Sequence, residues 1–147
     1  MRPWLISAAT LGADQLTKLA VTASFRPGDS LPVLPPVLYF SYVQNTGAAF
    51  GMLRGQQAVF VVCSLLIIAW IVREFLAGPR LDAWTRWGYA LILGGAAGNL
   101  IDRVRFGHVI DFIDLRVWPV FNVGDSAITI GVALLVWHAF FAARRSS

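Results

Sequence analysis

Charged residues are scarce in this sequence. Only 14% of its 147 residues are Asp, Glu, Lys or Arg, whereas a soluble domain averages about 25%. Hydrophobic residues make up 57% of the chain, and the mean hydropathy is +0.66. A chain with so little polar surface cannot cover a water-soluble globule of this size, so the composition predicts an integral membrane protein.

Cysteine and histidine are also scarce. Cys63 is the single cysteine, which excludes a disulfide within the chain. His108 and His138 have no further histidine or cysteine nearby in sequence to complete a metal site. The basic residues that give a net charge of +4 stand singly at the ends of apolar runs. We therefore expect no metal, no cofactor and no nucleic-acid partner.

Four apolar runs are candidates for membrane-spanning helices, each of which needs about 20 mostly apolar residues. The predicted fold is an all-α integral membrane protein with a single membrane domain over residues 1–147. Its four transmembrane helices are expected at residues 4–23, 58–72, 84–101 and 125–141.

Two opposite charges interrupt the first run. Asp14 and Lys18 are four residues apart, so they share one face of a helix and can pair. The run also resembles a signal peptide with a cleavage site at Val21-Thr22-Ala23, but its internal charges favour a retained helix. Charges at membrane depth usually face a protein interior. An alternative function is a small transporter in which Asp14 and Lys18 relay protons or ions.

Two long connections separate the spans. Residues 24–56 carry several prolines and a strand-like stretch at 37–43, which predicts a small β-containing cap. Residues 102–124 form a second, charged and aromatic loop. Basic residues at the span ends slightly favour cytoplasmic termini. The cap and the loop are then expected together on the outer, periplasmic face.

Two aspartates have apolar neighbours. Asp111 follows Val109-Ile110, and Asp125 begins the fourth run. Two such carboxylates close together share a proton, so that one activates a water and the other polarises a carbonyl group. The alternatives are a helix N-cap for Asp125 and an interfacial ion pair with a nearby arginine for Asp111.

The remaining polar residues near the spans have simpler interpretations. Asp102 is expected to form a salt bridge with Arg103, and Asp114 is expected to be solvated. The polar side of the third run is either a helix end at the headgroups or a substrate-binding stripe; it consists of Gly95, Asn99 and Arg103. Asn45 and Asn122 are turn residues or substrate ligands. Gly94 and Gly98 have the spacing of a close helix contact, which leaves a non-catalytic assembly factor as a third function.

Five motifs in order resemble the bacterial lipoprotein signal peptidase family, also called type II signal peptidase. The resemblance spans nearly the whole chain. The motifs are Asp14-Gln15-Leu16-Thr17-Lys18, Asn45-Thr46-Gly47-Ala48-Ala49-Phe50-Gly51, Gly98-Asn99-Leu100-Ile101-Asp102-Arg103, Gly107-His108-Val109-Ile110-Asp111-Phe112 and Phe121-Asn122-Val123-Gly124-Asp125-Ser126.

The resemblance implies a monomeric aspartic peptidase of the bacterial inner membrane, in contact with lipid and inhibited by globomycin. Its substrates would be diacylglyceryl-modified prolipoproteins, cut on the amino side of the lipidated cysteine near the periplasmic face. The implied catalytic pair is Asp111 and Asp125. Implied substrate-binding or supporting residues are Asp14, Lys18, Asn45, Gly47, Gly95, Asn99, Arg103 and Asn122. Gly124 departs from the alanine usual in this family, and we expect it to loosen the pair slightly without removing a chemical group.

Overall fold

The computed structural model describes residues 3–47, 55–77 and 81–143. The chain is mostly helical with one small sheet, as predicted. The helices are α1 (Pro3–Ser24), α2 (Gln57–Leu76), α3 (Ala83–Phe106) and α4 (Val123–Ala143), and the strands are β1 (Ser30–Leu34), β2 (Leu38–Asn45) and β3 (Val109–Asp114). Residues 48–54 of the predicted cap lie outside the described residues.

The side-chain contacts fix the directions of three helices. Ser7 of α1 donates to the carbonyl of Ala90 at 3.0 Å, and further along both helices Lys18 pairs with Asp102, so α1 and α3 run parallel. His138 near the end of α4 lies 3.2 Å from Asp82, the N-cap of α3. The helix α4 is therefore antiparallel to α3, and it begins where α1 and α3 end.

Helix α3 packs closely against both α1 and α4 because glycines lie at the crossings. A Cβ on Gly94 would lie 2.6 Å from the Ser7 carbonyl oxygen of α1, and one on Gly98 would overlap Asp14. On the side toward α4, a Cβ on Gly95 would overlap the Gly124 carbonyl. The Gly94 and Gly98 face is therefore occupied by α1 and is not available for a partner helix.

Two helices are long and apolar enough to cross a membrane by length and composition alone, namely Gln57–Leu76 and Val123–Phe141, among the residues described. Their outward side chains are mostly apolar, for example Leu66, Trp70 and Val136. Helices α1 and α3 do not meet the same criterion, and they carry three charged residues that are buried in the structure, namely Asp14, Lys18 and Asp102.

The three strands form an antiparallel sheet in the order β1-β2-β3. The third strand was not predicted, since residues 109–114 fell within the expected loop 102–124. Helix α3 also extends beyond its predicted end, to Phe106, where Gly107 with φ +73° stops it in the left-handed region. Ile110 and Phe112 pack with Val21 and Tyr42 in a small core. Because side chains alternate along a strand, Asp111 points to the opposite face.

Candidate active site

Asp111 is buried, with 1% of its side chain exposed. It pairs with Val43 of β2, which places Asn45 diagonally across the strands on the same face. Each carboxylate oxygen accepts an amide N–H, from Asn122 at 2.6 Å and from Asn45 at 2.9 Å. Burial and the nearby charge of Asp125 raise the pKa of Asp111 to about 7, although the two amides favour the ionised form.

Asp125 lies in the first turn of α4, and the helix is capped by Asn122. The Asn122 side-chain oxygen accepts the Asp125 backbone N–H at 2.8 Å, and the Asp125 carboxylate accepts the Asn122 backbone N–H at 3.4 Å. This reciprocal arrangement is a capping box. The alternative prediction that Asp125 is itself the N-cap is therefore wrong, because the N-cap is Asn122, three residues earlier. The other Asp125 oxygen accepts an N–H from Asn99 of α3 at 2.7 Å.

Asn122 connects the two aspartates. Its oxygen caps α4 at Asp125, while its amide nitrogen donates to Asp111 and lies 3.2 Å from the Asn99 oxygen. The side chain is fully buried. Asn45 also has two contacts, because its oxygen accepts the backbone N–H of Gly47 at 2.9 Å. Both asparagines are thus turn or cap residues whose amide groups also orient an aspartate.

Lys18 lies at the centre of a buried cluster. Its ammonium group is 2.8 Å from Asp14, 2.8 Å from Asp102 and 2.9 Å from the Asn99 oxygen. These three contacts use all three N–H groups. Because Asn99 accepts from Lys18 through its oxygen, its nitrogen must point the other way, toward Asp125. The cation therefore fixes the amide that holds one aspartate of the pair.

The buried charges of this cluster compensate one another. Asp14, Lys18 and Asp102 are each exposed by 2% or less. Removing one member of a buried ion pair typically costs about 3–5 kcal/mol, since the partner charge is left without compensation. The second Asp14 oxygen accepts the backbone N–H of Gly124 at 2.7 Å. The cluster therefore also holds the first turn of α4.

Asp102 does not have the partner expected from the sequence. One of its oxygens accepts from Lys18 and from the backbone N–H of Ile110 at 3.1 Å. The other accepts from Gln15 at 3.1 Å. Asp102 thus connects α1 to the strand that carries Asp111, and the predicted salt bridge with Arg103 is wrong. Sequence reasoning assigned no role to Gln15, whose only signal is its place in the first motif.

Asp114 is also unlike its prediction. It was expected to be solvated, but only 7% of it is exposed. Ser41 donates to it at 2.7 Å, and the backbone N–H of Arg116 donates at 2.8 Å. Although partial burial opposes the change, these donors and the Arg116 charge lower the pKa of Asp114. It stabilises the strand end, away from the pair formed by Asp111 and Asp125.

Gly124 fits among closely spaced oxygens. A Cβ at this position would lie 3.0 Å from an Asp14 oxygen, 3.1 Å from the Asn122 oxygen and 3.1 Å from the Gly95 carbonyl. These distances are tight for a methyl group. Gly95 is brought against the same turn of α4, so both glycines permit the close approach of α3 and α4 beside Asp125.

A cavity of about 590 Å³ opens beside the two aspartates. Asp111, Asp125 and Arg103 line it together with Asn45 and Gly47. The rest of its wall is largely apolar and comes from Val109, residues 115–121 and the first turns of α4; it includes Leu115, Trp118, Pro119, Val120, Phe121, Ile128 and Ile130. All ten predicted site residues thus lie in one connected region, five of them at the cavity itself.

The family model of signal peptidase (SPase) II matches residues 6–141. The chain belongs to the signal peptidase II family. It is 46% identical to the lipoprotein signal peptidase of Moorella thermoacetica over 91% of this chain and 89% of that protein. It is likewise 46% identical to the lipoprotein signal peptidase of Pelotomaculum thermopropionicum, over 91% of this chain and 88% of that protein.

A solved structure of a bacterial membrane enzyme has the same fold. It superposes with a TM-score of 0.92 at 32% identity, covering 99% of this chain and 91% of that one. A second solved bacterial membrane enzyme superposes with a TM-score of 0.84 at 34% identity, covering 93% and 91% of the two chains. Family membership makes this chain a peptidase, and the likeness to membrane enzymes agrees with its apolar helices.

The signal peptidase II assignment also bears on the transporter alternative. That alternative required Asp14 and Lys18 to relay protons or ions. In the structure all three N–H groups of Lys18 are engaged by buried partners. Their contacts lead to the residues around Asp125 and Asp111, which supports a structural role for Asp14 and Lys18.

Proposed function

We propose that this chain cleaves diacylglyceryl-modified prolipoproteins on the amino side of the lipidated cysteine, with Asp111 and Asp125 as its catalytic pair. The observation that carries the proposal is the shared cavity: two largely buried carboxylates face one space, and each is held by side-chain amides of separate elements. The names of the relatives supply the substrate class, lipoprotein signal peptides.

The chemistry follows from the unequal ionisation of two close carboxyl groups. Asp111, with a pKa of about 7, holds the proton, and Asp125 is the carboxylate base. Asp125 removes a proton from a water, whose oxygen attacks the scissile carbonyl carbon. The Asp111 proton is donated to the carbonyl oxygen. When the tetrahedral intermediate collapses, the C–N bond breaks and the proton held by Asp125 passes to the departing amine of the cysteine. One hydroxyl proton of the intermediate returns to Asp111 as the new carboxyl group forms, which restores the starting pair.

The neighbouring side chains would serve to hold this pair in place. Asn99, Asn122 and Asn45 each donate an N–H to one of the two carboxylates. In this proposal Lys18 and Asp14 are supporting residues, because their contacts fix Asn99 and the start of α4. Arg103 and Gly47 line the cavity and would contact the substrate backbone.

The same proposal places all four helices across the bacterial inner membrane as one membrane domain. Asp14, Lys18 and Asp102 of α1 and α3 turn inward, while the exposed Arg105 lies in the last turn of α3. Apolar side chains would then face the lipid on these helices as well. Leu16 and Leu19 of α1, for example, are more than half exposed. Both termini would be cytoplasmic, the sheet and the cavity periplasmic, and the enzyme monomeric in contact with lipid. A lipidated substrate stays in the bilayer, so a cavity at the membrane surface would meet its scissile bond.

The test compares three aspartate-to-asparagine variants in detergent. Cleavage of a diacylglyceryl-modified prolipoprotein is followed by gel shift, with globomycin as the inhibitor control. Asp111→Asn and Asp125→Asn should each lower the rate by roughly 10²–10⁴-fold or more, the usual contribution of general acid–base catalysis. Asp29→Asn is the matched control, because Asp29 is exposed and should keep the wild-type rate.

Two results would sink the proposal. If a folded Asp111→Asn or Asp125→Asn variant keeps near wild-type cleavage, the assigned pair is wrong. If the folded wild type does not cut the modified substrate, the substrate assignment is wrong. Thermal unfolding of each variant, measured alongside, separates lost chemistry from lost structure.

A further inference from the structure

Arg103 has an unusual set of contacts for an arginine beside two carboxylates. Its Nε–H is buried and has no hydrogen-bond partner in the described part of the chain. None of the ion pairs within 4.0 Å among residues 3–47, 55–77 and 81–143 includes it. A buried donor without a partner normally costs free energy, so this N–H is a group that a ligand would satisfy.

The guanidinium group is held by an aromatic ring instead. Its central carbon lies 4.8 Å from the centre of the Phe60 ring, within the 6 Å range of a cation–π contact. Phe60 is on the first turn of α2, and Arg103 is on the last turn of α3 and lines the cavity with Asp111 and Asp125. The contact therefore joins two helices at the edge of the site.

An aromatic face differs from a carboxylate as a partner for arginine. A carboxylate typically takes two N–H groups of the guanidinium fork. A ring face attracts the positive charge while it accepts none of the in-plane N–H groups. Phe60 can therefore fix where the charge lies and still leave the Nε–H free for another acceptor.

We propose that Phe60 is a positioning residue of this peptidase, whose ring holds Arg103 beside the aspartate pair so that the Arg103 Nε–H donates to a backbone carbonyl oxygen of the substrate. This inference rests on the proposed function for its substrate. The placement of Arg103 by Phe60 stands on the contact itself. Every peptide has backbone carbonyl groups, so this hydrogen bond from Arg103 would strengthen substrate binding without selecting a particular substrate side chain.

The kinetic test uses Phe60→Leu, which removes the ring but keeps an apolar side chain, and Phe60→Tyr, which keeps the ring. Phe60→Leu should lower kcat/KM roughly tenfold, mainly through a higher KM, the size expected for loss of one cation–π contact. Phe60→Tyr should restore most of the activity. Phe75→Leu is the matched control, since it removes an aromatic ring of α2 that packs on Trp4 and Tyr89 and not on Arg103.

A second measurement reads the placement without any substrate. The Nε–Hε resonance of Arg103, identified by its loss in Arg103→Lys, should carry a ring-current shift in the wild type and in Phe60→Tyr. That shift should disappear in Phe60→Leu and persist in Phe75→Leu. Thermal unfolding confirms that the variants are folded.

The outcomes separate the two proposals. The positioning role is overturned if Phe60→Leu keeps the wild-type kcat/KM, if Phe60→Tyr falls as far as Phe60→Leu, or if Phe75→Leu shows the same loss. It is equally overturned if the Arg103 resonance does not respond to Phe60→Leu. A folded wild type that cuts no lipoprotein overturns the proposed function alone, and the resonance then decides the placement of Arg103.

Discussion

At the scale of single residues, the two aspartates are held by amides that come from different parts of the chain. Asp111 accepts from Asn45 and Asn122, and Asp125 accepts from Asn99. An amide N–H stabilises a carboxylate without adding a charge, so it opposes burial only partly. Burial and the charge of Asp125 raise the pKa of Asp111 to about 7, while the two amides and the charge of Lys18 act in the opposite direction.

The pKa of Asp111 predicts the alkaline limb of the activity profile. If the active form carries one proton on Asp111, kcat/KM should fall as the pH rises through about 7, where that proton is lost. Asn45→Ala removes a hydrogen bond that favours the ionised form, so the pKa should rise and the limb should move to higher pH.

Rates measured between pH 5 and 9 on the modified prolipoprotein check this prediction. The position of the limb is read independently of the absolute rate, so a slower variant is still informative. A rate that stays constant up to pH 9, or a limb that moves to lower pH in Asn45→Ala, would contradict it.

Sequence patterns singled out the aspartates but not all of their surroundings. Asp111 and Asp125 stand out because a carboxylate among apolar neighbours is costly. Asp102 could not be assigned correctly, because its partners Lys18 and Gln15 come from a helix more than 80 residues earlier. The sequence suggested Arg103 as the partner of Asp102 because the two residues are adjacent. On a helix, however, adjacent side chains point in different directions.

At the scale of helices and strands, α3 organises the site. It contacts α1 through Gly94 and Gly98, and α4 through Gly95. These glycines let the backbones approach closely, which brings Asn99 within reach of both Lys18 and Asp125. The site therefore depends on helix spacing as well as on its polar residues.

This dependence predicts opposite results for two glycine-to-alanine changes. Gly98→Ala would place a methyl group against the Asp14 carboxylate, and overpacking of this kind costs about 1–3 kcal/mol. We expect lower thermal stability and lower activity. Gly12→Ala is the control. Nothing lies within 4 Å of its added Cβ and alanine favours a helix, so its thermal stability should not fall.

Unfolding in detergent and cleavage rates check both variants. Equal stability of Gly98→Ala and Gly12→Ala would show that α1 and α3 are not packed as closely as described.

The elements differ in how far the sequence predicts them. The four helices follow from apolar runs, which are local signals. The strand β3 was missed because it pairs with β2, whose residues lie more than 60 positions earlier. The prediction also ended α3 too early, since Asp102 and Arg103 looked like a loop start. In the structure Asp102 faces inward, so its charge does not end the helix.

At the scale of the whole molecule, the sheet and the cavity lie at one end of the helices. The turn between β1 and β2 belongs to this end, while Ala77 after α2 and Asp82 before α3 belong to the other. If the helices span the membrane as proposed, these two regions face opposite compartments.

Cysteine labelling tests this topology in spheroplasts that carry Cys63→Ser. A membrane-impermeant maleimide should label Leu34→Cys, at an exposed position of the sheet, without lysis. Ala77→Cys, which is exposed at the end of α2, should react only after lysis. The reverse pattern would place the cavity in the cytoplasm.

The contacts of α1 have one more consequence. Taken alone, this segment resembles the kind of N-terminal helix that signal peptidases remove from other proteins. In the folded chain it supplies Lys18, which orients Asn99, and Asp14, which holds the first turn of α4. In this chain, a helix that resembles a signal peptide therefore holds the proposed catalytic site together.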